Sequence, residues 1–158
     1  MTAVMELTYA RECYSGMLVA ELMPLLKAHY LEISANQDIP LDPEWSVYEG
    51  CEKNGTLRVY TVRAEGRLIG YEVLFVRANP HYRGSLQAVQ DILFVSKEYR
   101  HGSLGYRLIK FADDELKKEG VQIVYHHVKA AHNFGPMLER LDYKLVDLIY
   151  ARRLDREG

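Results

Sequence analysis

The segment from Ile92 to Leu108 constrains this chain more than any other. An apolar run of β type, Ile92-Leu93-Phe94-Val95, ends in the polar turn Ser96-Lys97-Glu98-Tyr99. Arg100-His101-Gly102-Ser103-Leu104-Gly105 then leads into a helical pattern. A strand, a small-residue loop and a helix start, in that order, make an anion site. The first amides of a helix have no partner within it, and the helix dipole adds partial positive charge there. Small residues let the backbone approach a phosphate closely, and Arg100 adds a full charge at the entrance. Two familiar phosphate loops are excluded. No Gly-x-x-x-x-Gly-Lys-Ser/Thr occurs, and no Gly-x-Gly-x-x-Gly follows the first strand, which argues against a dinucleotide fold.

Around this segment, helical and strand patterns alternate. Met5 to Tyr9 is extended in character, and Glu12 to Ala20 has helical apolar spacing. Pro24 fits the first turn of a second helix, Leu25 to Ile33. Ser34 to Pro43 is a loop, and Trp45 to Cys51 a short helical turn. Thr56 to Ala64 and Leu68 to Val76 are strands joined by the hairpin turn Glu65-Gly66-Arg67. Asn79 to Gly84 is a loop before a long strand, Ser85 to Val95. Leu104 to Lys118 is an amphipathic helix that stops at Gly120. Val121 to Val128 is a strand, Gly135 to Leu141 a helix, and Tyr143 to Ala151 a final strand. The order is β-α-α-β-β-β-α-β-α-β.

Composition narrows the function. A chain of 158 residues suits one domain, residues 1–158. A net charge of −2 and a pI near 6.3 leave no electrostatic footprint for nucleic acid. No apolar run reaches 18 residues, so no membrane partner is expected. The N-terminus lacks a signal-peptide pattern, and a cytoplasmic location is expected. Cys13 and Cys51 are expected as free thiols, and neither they nor the histidines have metal-ligand spacing, so no metal is expected.

The loop resembles the pyrophosphate loop of the GNAT acetyltransferases, Arg/Gln-x-x-Gly-x-Gly/Ala after a strand. Arg100, Leu104 and Gly105 fit; Ser103 stands at the first glycine, with Gly102 one place earlier. Leu68-Ile69-Gly70-Tyr71 looks like that family's third strand and Gln90 to Val95 like its fourth. His132-Asn133 with Leu138-Glu139-Arg140-Leu141-Asp142-Tyr143 is similar to its Asn … Leu-Tyr-Glu-Lys-Leu-Gly-Phe signature. Three differences stand out. Asp142-Tyr143 replaces Gly-Phe, Leu138 occupies the position of a thiolate-protonating Tyr, and Asn133 lies about two residues late. Ala28 to Ile33, Asp38 to Pro43 and His81-Tyr82 resemble phage-encoded members.

The resemblance implies a GNAT fold: an α/β (α+β) protein whose mixed central sheet has splayed fourth and fifth strands. It implies acetyl-CoA as cosubstrate and a primary amine as acceptor, attacking the thioester directly. Leu93, Phe94 and Val95 would pair with pantetheine. Arg100, His101, Gly102, Ser103, Leu104, Gly105 and Tyr106 would take the pyrophosphate, with Asn133 nearby. Dimers are common among such relatives, so a homodimer is a further expectation.

Asp91 is the first candidate for the proton relay, standing two residues before Leu93 in an apolar strand. The competing role is structural. His126 and His127 are adjacent on the fifth strand, so only one can face the cleft; His126 is carried as a substrate candidate. His29, Tyr30, Glu32, His81 and Tyr82 are the remaining substrate-side candidates, and Tyr150 is the candidate proton donor in place of Leu138. Three classes follow: an N-acyltransferase, a degenerate GNAT domain that binds acyl-CoA or a protein without catalysis, and an unrelated α/β protein holding another anion.

Overall fold

The computed structural model describes residues 3–156. Its elements are β1 (Leu7–Glu12), α1 (Gly16–Ile33), α2 (Trp45–Lys53), β2 (Leu57–Ala64), β3 (Arg67–Asn79), β4 (Tyr82–Val95), α3 (Leu104–Lys118), β5 (Ile123–Tyr125) and α4 (Gly135–Glu139). The sheet runs β1-β2-β3-β4-β5 in space. The first four strands pair antiparallel, and β5 joins β4 in parallel.

Alternation along the strands sends side chains to two cores. On one face, Leu104, Leu108, Ala112 and Leu116 of α3 pack on Tyr60, Val62, Leu74, Val76 and Ala88. On the other, Leu18 and Leu22 of α1 pack on Leu57, Val59, Tyr71, Val73 and Phe94. Burying one such leucine fully contributes about 2–3 kcal/mol. The β2–β3 turn has two residues, Glu65 and Gly66, both at positive φ (49° and 80°), as a tight right-twisted hairpin requires. Gly70 lets β4 come close: a Cβ there would lie 3.1 Å from the Phe94 carbonyl oxygen and 2.9 Å from Val62.

Four segments differ from the sequence reading. The two expected helices before residue 34 are one helix, α1, with Pro24 inside it. Leu18, Leu22, Leu25 and Leu26 continue one sheet-facing stripe past the proline, so packing outweighs the missing amide. Glu12 belongs to β1, opposite Val59, and Ser15 caps α1 by accepting from the Leu18 amide at 3.1 Å. The loop after β3 shrinks to a tight turn, which places His81 in the turn and Tyr82 at the start of β4. β5 is only three residues long, and residues 143–151 form no strand at all.

Candidate active site

The β4–β5 ladder stops early. Gln87, Ala88 and Val89 pair with Ile123, Val124 and Tyr125. From Gln90 to Val95, β4 pairs only with β3 among the described residues, so β4 and β5 part there. Leu93 and Val95 turn their side chains to the α3 core, and Phe94 is buried on the α1 side. The backbone between them faces the gap. One of its acceptors is already engaged: Arg100 Nε donates to the Val95 carbonyl at 2.7 Å.

The bottom of the gap is a buried polar cluster. His126 Nδ1 donates to Gln90 Oε1 at 2.8 Å, leaving the Nε2 lone pair 3.2 Å from Glu72 Oε1, without hydrogen-bond alignment. Both side chains are fully buried. Burial pushes the His126 pKa down to about 4, with His127 adding to the effect. Burial, reinforced by the Asp113 charge, raises the Glu72 carboxyl well above its usual range. Burial thus favours the neutral form of both groups. Tyr143 donates to Asp113 Oδ1 at 2.7 Å behind them. His127 is exposed instead.

On the α1 face a cavity of about 490 Å³ opens between α1, α2, the 34–43 loop and the sheet. Its wall is mostly aromatic and aliphatic, with Tyr14, Trp45, Tyr48, Tyr71 and Ile92 prominent. Asp91 enters this wall through a bulge. Val73 pairs with Ile92 and Leu74 with Gln90, so Asp91 is an extra residue in the ladder. Asp91 and Ile92 consequently both line the cavity, breaking the usual alternation. Tyr48 Oη donates to Asp91 Oδ2 at 2.6 Å. Burial, then that bond and the carboxylate charge, raise the Tyr48 pKa, so its hydroxyl stays a donor. The Tyr71 hydroxyl is buried, with no hydrogen-bond partner among the described residues.

The loop before α3 has the features of an anion cradle. Gly102 has φ 137°, a region glycine tolerates best. Ser103 ends the loop and its side chain caps nothing, so the first α3 amides are not satisfied by it. Leu104 is buried, anchoring the helix start. Gly105 faces Met137: a Cβ there would meet its sulfur at 3.6 Å, an ordinary contact. A model of the acetyltransferase (GNAT) family matches residues 19–135, spanning α1 through this loop to the start of α4. The chain belongs to the GNAT family.

None of the curated proteins matches this sequence significantly. Solved structures match the GNAT protein in fold. A transcriptional regulator from Bacillus halodurans C-125 superposes with a TM-score of 0.74 at 10% identity, covering 93% of this chain and all (100%) of the other. An aminoglycoside acetyltransferase from an uncultured soil metagenomic sample, in complex with sisomicin, gives 0.69 at 14%, with coverages of 93% and 97%. Glucosamine-6-phosphate N-acetyltransferase from Arabidopsis thaliana gives 0.70 at 13%, with coverages of 94% and 99%. These likenesses establish the fold.

Several expected residues of the GNAT protein sit elsewhere than their assigned roles require. Arg100 does not stand free over the loop: its guanidinium pairs with Glu32 at 2.5 and 2.9 Å and lies over the Phe94 ring. The Arg100 hydrogen bonds, helped by the Arg100 charge, outweigh burial and leave Glu32 below the usual carboxylate range. His29 packs against Phe94 in a tilted arrangement with ring centroids 5.0 Å apart, and burial lowers its pKa to about 4. Tyr30 lines the cavity, but its hydroxyl donates to the carbonyls of Gln37 and Ile39. His81 and Tyr82 pack on each other in the β3–β4 turn and line neither this cavity nor a groove of about 450 Å³ beside Glu32. His126 lines neither as well.

His101 is exposed, and Tyr106 lies under the Arg140 guanidinium. Asn133 Oδ1 accepts from the Gly135 amide at 2.7 Å, tying the start of α4. Leu138 is buried. Tyr150 is 90% exposed on the segment that forms no strand, so it does not line the cavity as a proton donor would. The sequence reading missed Tyr48 and Tyr71; only the bulge brings them beside Asp91. Among the described residues, no group of three or more His, Cys, Asp or Glu could hold a metal, and no helix is long and apolar enough to cross a membrane.

Proposed function

We propose that this protein is an N-acyltransferase that moves an acetyl group from acetyl-CoA to a primary amine. The observation that carries this reading is the Asp91 carboxylate, held by Tyr48 on the wall of an apolar cavity and on the strand that borders the β4–β5 gap. Acetyl-CoA supplies an activated carbonyl and a thiol leaving group. The free β4 edge from Gln90 to Val95 and the first α3 amides fit its pantetheine and pyrophosphate in hydrogen-bonding character. Asp91 Oδ2 takes the Tyr48 hydroxyl, which leaves Oδ1 for an ammonium group. There it orients the amine and takes up the proton that must leave before attack. The aromatic walls exclude water and favour an amine with an apolar body.

A second reading, an acyl-CoA-binding domain without turnover, draws on three observations. Leu138 is buried where a tyrosine is usual, Tyr150 is remote, and Arg100 is engaged by Glu32. Thiol release from acetyl-CoA, measured across 2-phenylethylamine, spermidine and an aminoglycoside, separates the two. The enzyme reading expects turnover, fastest with phenylethylamine. CoA-dependent thermal stabilisation without thiol release from any amine supports the second reading instead.

A further inference from the structure

Among the described residues, three tyrosine hydroxyls are buried without a hydrogen-bond partner, those of Tyr9, Tyr60 and Tyr71. The first two sit by Phe111 in the α3-side core, with ring centroids 6.1 Å away in each case. Tyr71 differs, because it lines the cavity that Asp91 enters. It is completely buried while Asp91 is exposed, so the cavity runs from a carboxylate at its rim to a hydroxyl on its floor. The other sheet residues on its wall, Leu57, Val59, Val73 and Ile92, are apolar. Thr61, opposite Tyr71 in the ladder, gives its hydroxyl to Glu12. The Tyr71 ring lies by Phe94, with centroids 5.9 Å apart. Burial, then the Asp91 charge, push the Tyr71 pKa up, so the hydroxyl keeps its hydrogen. A buried hydroxyl without a partner is costly, and phenylalanine would present the same ring without that cost. A tyrosine on this floor calls for a partner that arrives with a ligand.

We infer that Tyr71 selects the acceptor: the cavity takes an amine whose apolar body ends in a hydroxyl group, with the ammonium at Asp91 and the hydroxyl at Tyr71. The inference rests on the proposed acetyl transfer for the reaction and adds the far end of the substrate. An amine that lacks the hydroxyl leaves Tyr71 unpaired on a floor now sealed from water, which is how a polar site rejects an apolar analogue. Tyr71 touches no reacting atom in this arrangement, so it governs affinity rather than the chemical step.

Tyramine and 2-phenylethylamine differ by that hydroxyl alone and form a matched pair of probes. Calorimetric titration with CoA present should give tyramine the lower Kd by about tenfold. Tyr71→Phe should bring the ratio to about one by loosening tyramine only. Its melting temperature should be no lower than wild type, because the orphaned hydroxyl is gone. Thiol release from acetyl-CoA is measured alongside with each amine. A tyramine preference that Tyr71→Phe abolishes, without thiol release, would sink the transfer reading and leave the subsite standing. Thiol release at equal kcat/KM for the two amines would sink the subsite and leave the transfer standing. Equal affinities in the wild type, no binding of either amine, or a preference that survives in Tyr71→Phe would each overturn the proposal. The wild-type comparison decides the matter on its own where the variant does not fold.

Discussion

Asp91 owes its placement to a defect in the ladder rather than to a loop. The bulge turns its carboxylate into the cavity, and Tyr48 holds one oxygen at 2.6 Å. Asp91→Asn keeps the shape and the tyrosine bond while removing the charge. Steady-state kinetics with the best amine should show kcat/KM lowered by at least about tenfold, with the CoA-induced melting shift retained. An unchanged rate with a lower melting temperature would assign Asp91 to structure. Asp142 is a second residue held in an unusual conformation. It follows α4 at φ 65°, at the position where the family signature carries glycine. A side chain in that region costs energy that glycine avoids. Asp142→Gly should stabilise the fold by about 0.5–1 kcal/mol in denaturant titrations.

At the scale of elements, the loop into α3 is the part whose role rests on backbone alone. Because a Cβ at Gly105 meets only Met137 and Val95 at 3.6–4.0 Å, Gly105→Val should fold. Its added bulk stands at the helix start, where a phosphate would approach. Differential scanning should therefore show the CoA-dependent shift lost while the melting temperature without ligand stays near wild type. Elements with their own periodicity were legible in the sequence: β2 and α3 fall where alternation and the helical stripe place them, and β3 and β4 do so apart from the ends that meet in the tight turn at 80–81. Elements defined by partners were not. Pro24 suggested a break that the leucine stripe of α1 overrides. The last segment has the composition of a strand but no neighbour to pair with. Of the candidate site, the strand–loop–helix order around residues 100–105 and the lone carboxylate Asp91 in an apolar strand could be read directly, as candidates. The Tyr48–Asp91 and Arg100–Glu32 pairs join residues 43 and 68 positions apart, which no local pattern encodes.

At the scale of the whole molecule, buried titratable groups pull stability in opposite directions with pH. His29 is neutral in the folded protein, its pKa lowered from 6.5 to about 4 by burial. Below pH 6.5 the unfolded chain gains this proton and the folded one does not. His29 therefore costs stability as pH falls from 6.5 towards 4. Asp113 runs the other way: burial lifts it from 3.8 to about 6, so it costs stability as pH rises through that interval. Melting temperatures measured between pH 4 and 6.5 should show the wild type falling relative to His29→Phe on acidification. Against Asp113→Asn it should fall on alkalinisation. Parallel curves for either pair would remove that group from the pH response.

The bulge in β4 has a last consequence. Val73 and Leu74 are consecutive, and they already face Ile92 and Gln90. The sheet thus keeps its count without Asp91. Excising that one residue would join Gln90 to Ile92 in ordinary alternation, with Leu93 and Val95 still towards α3 and Phe94 still towards α1. Here the acid and the scaffold are separable units of inheritance. Under the proposed function, a lineage could lose acetyl transfer and keep the fold by deleting a single codon, and recover it by inserting one.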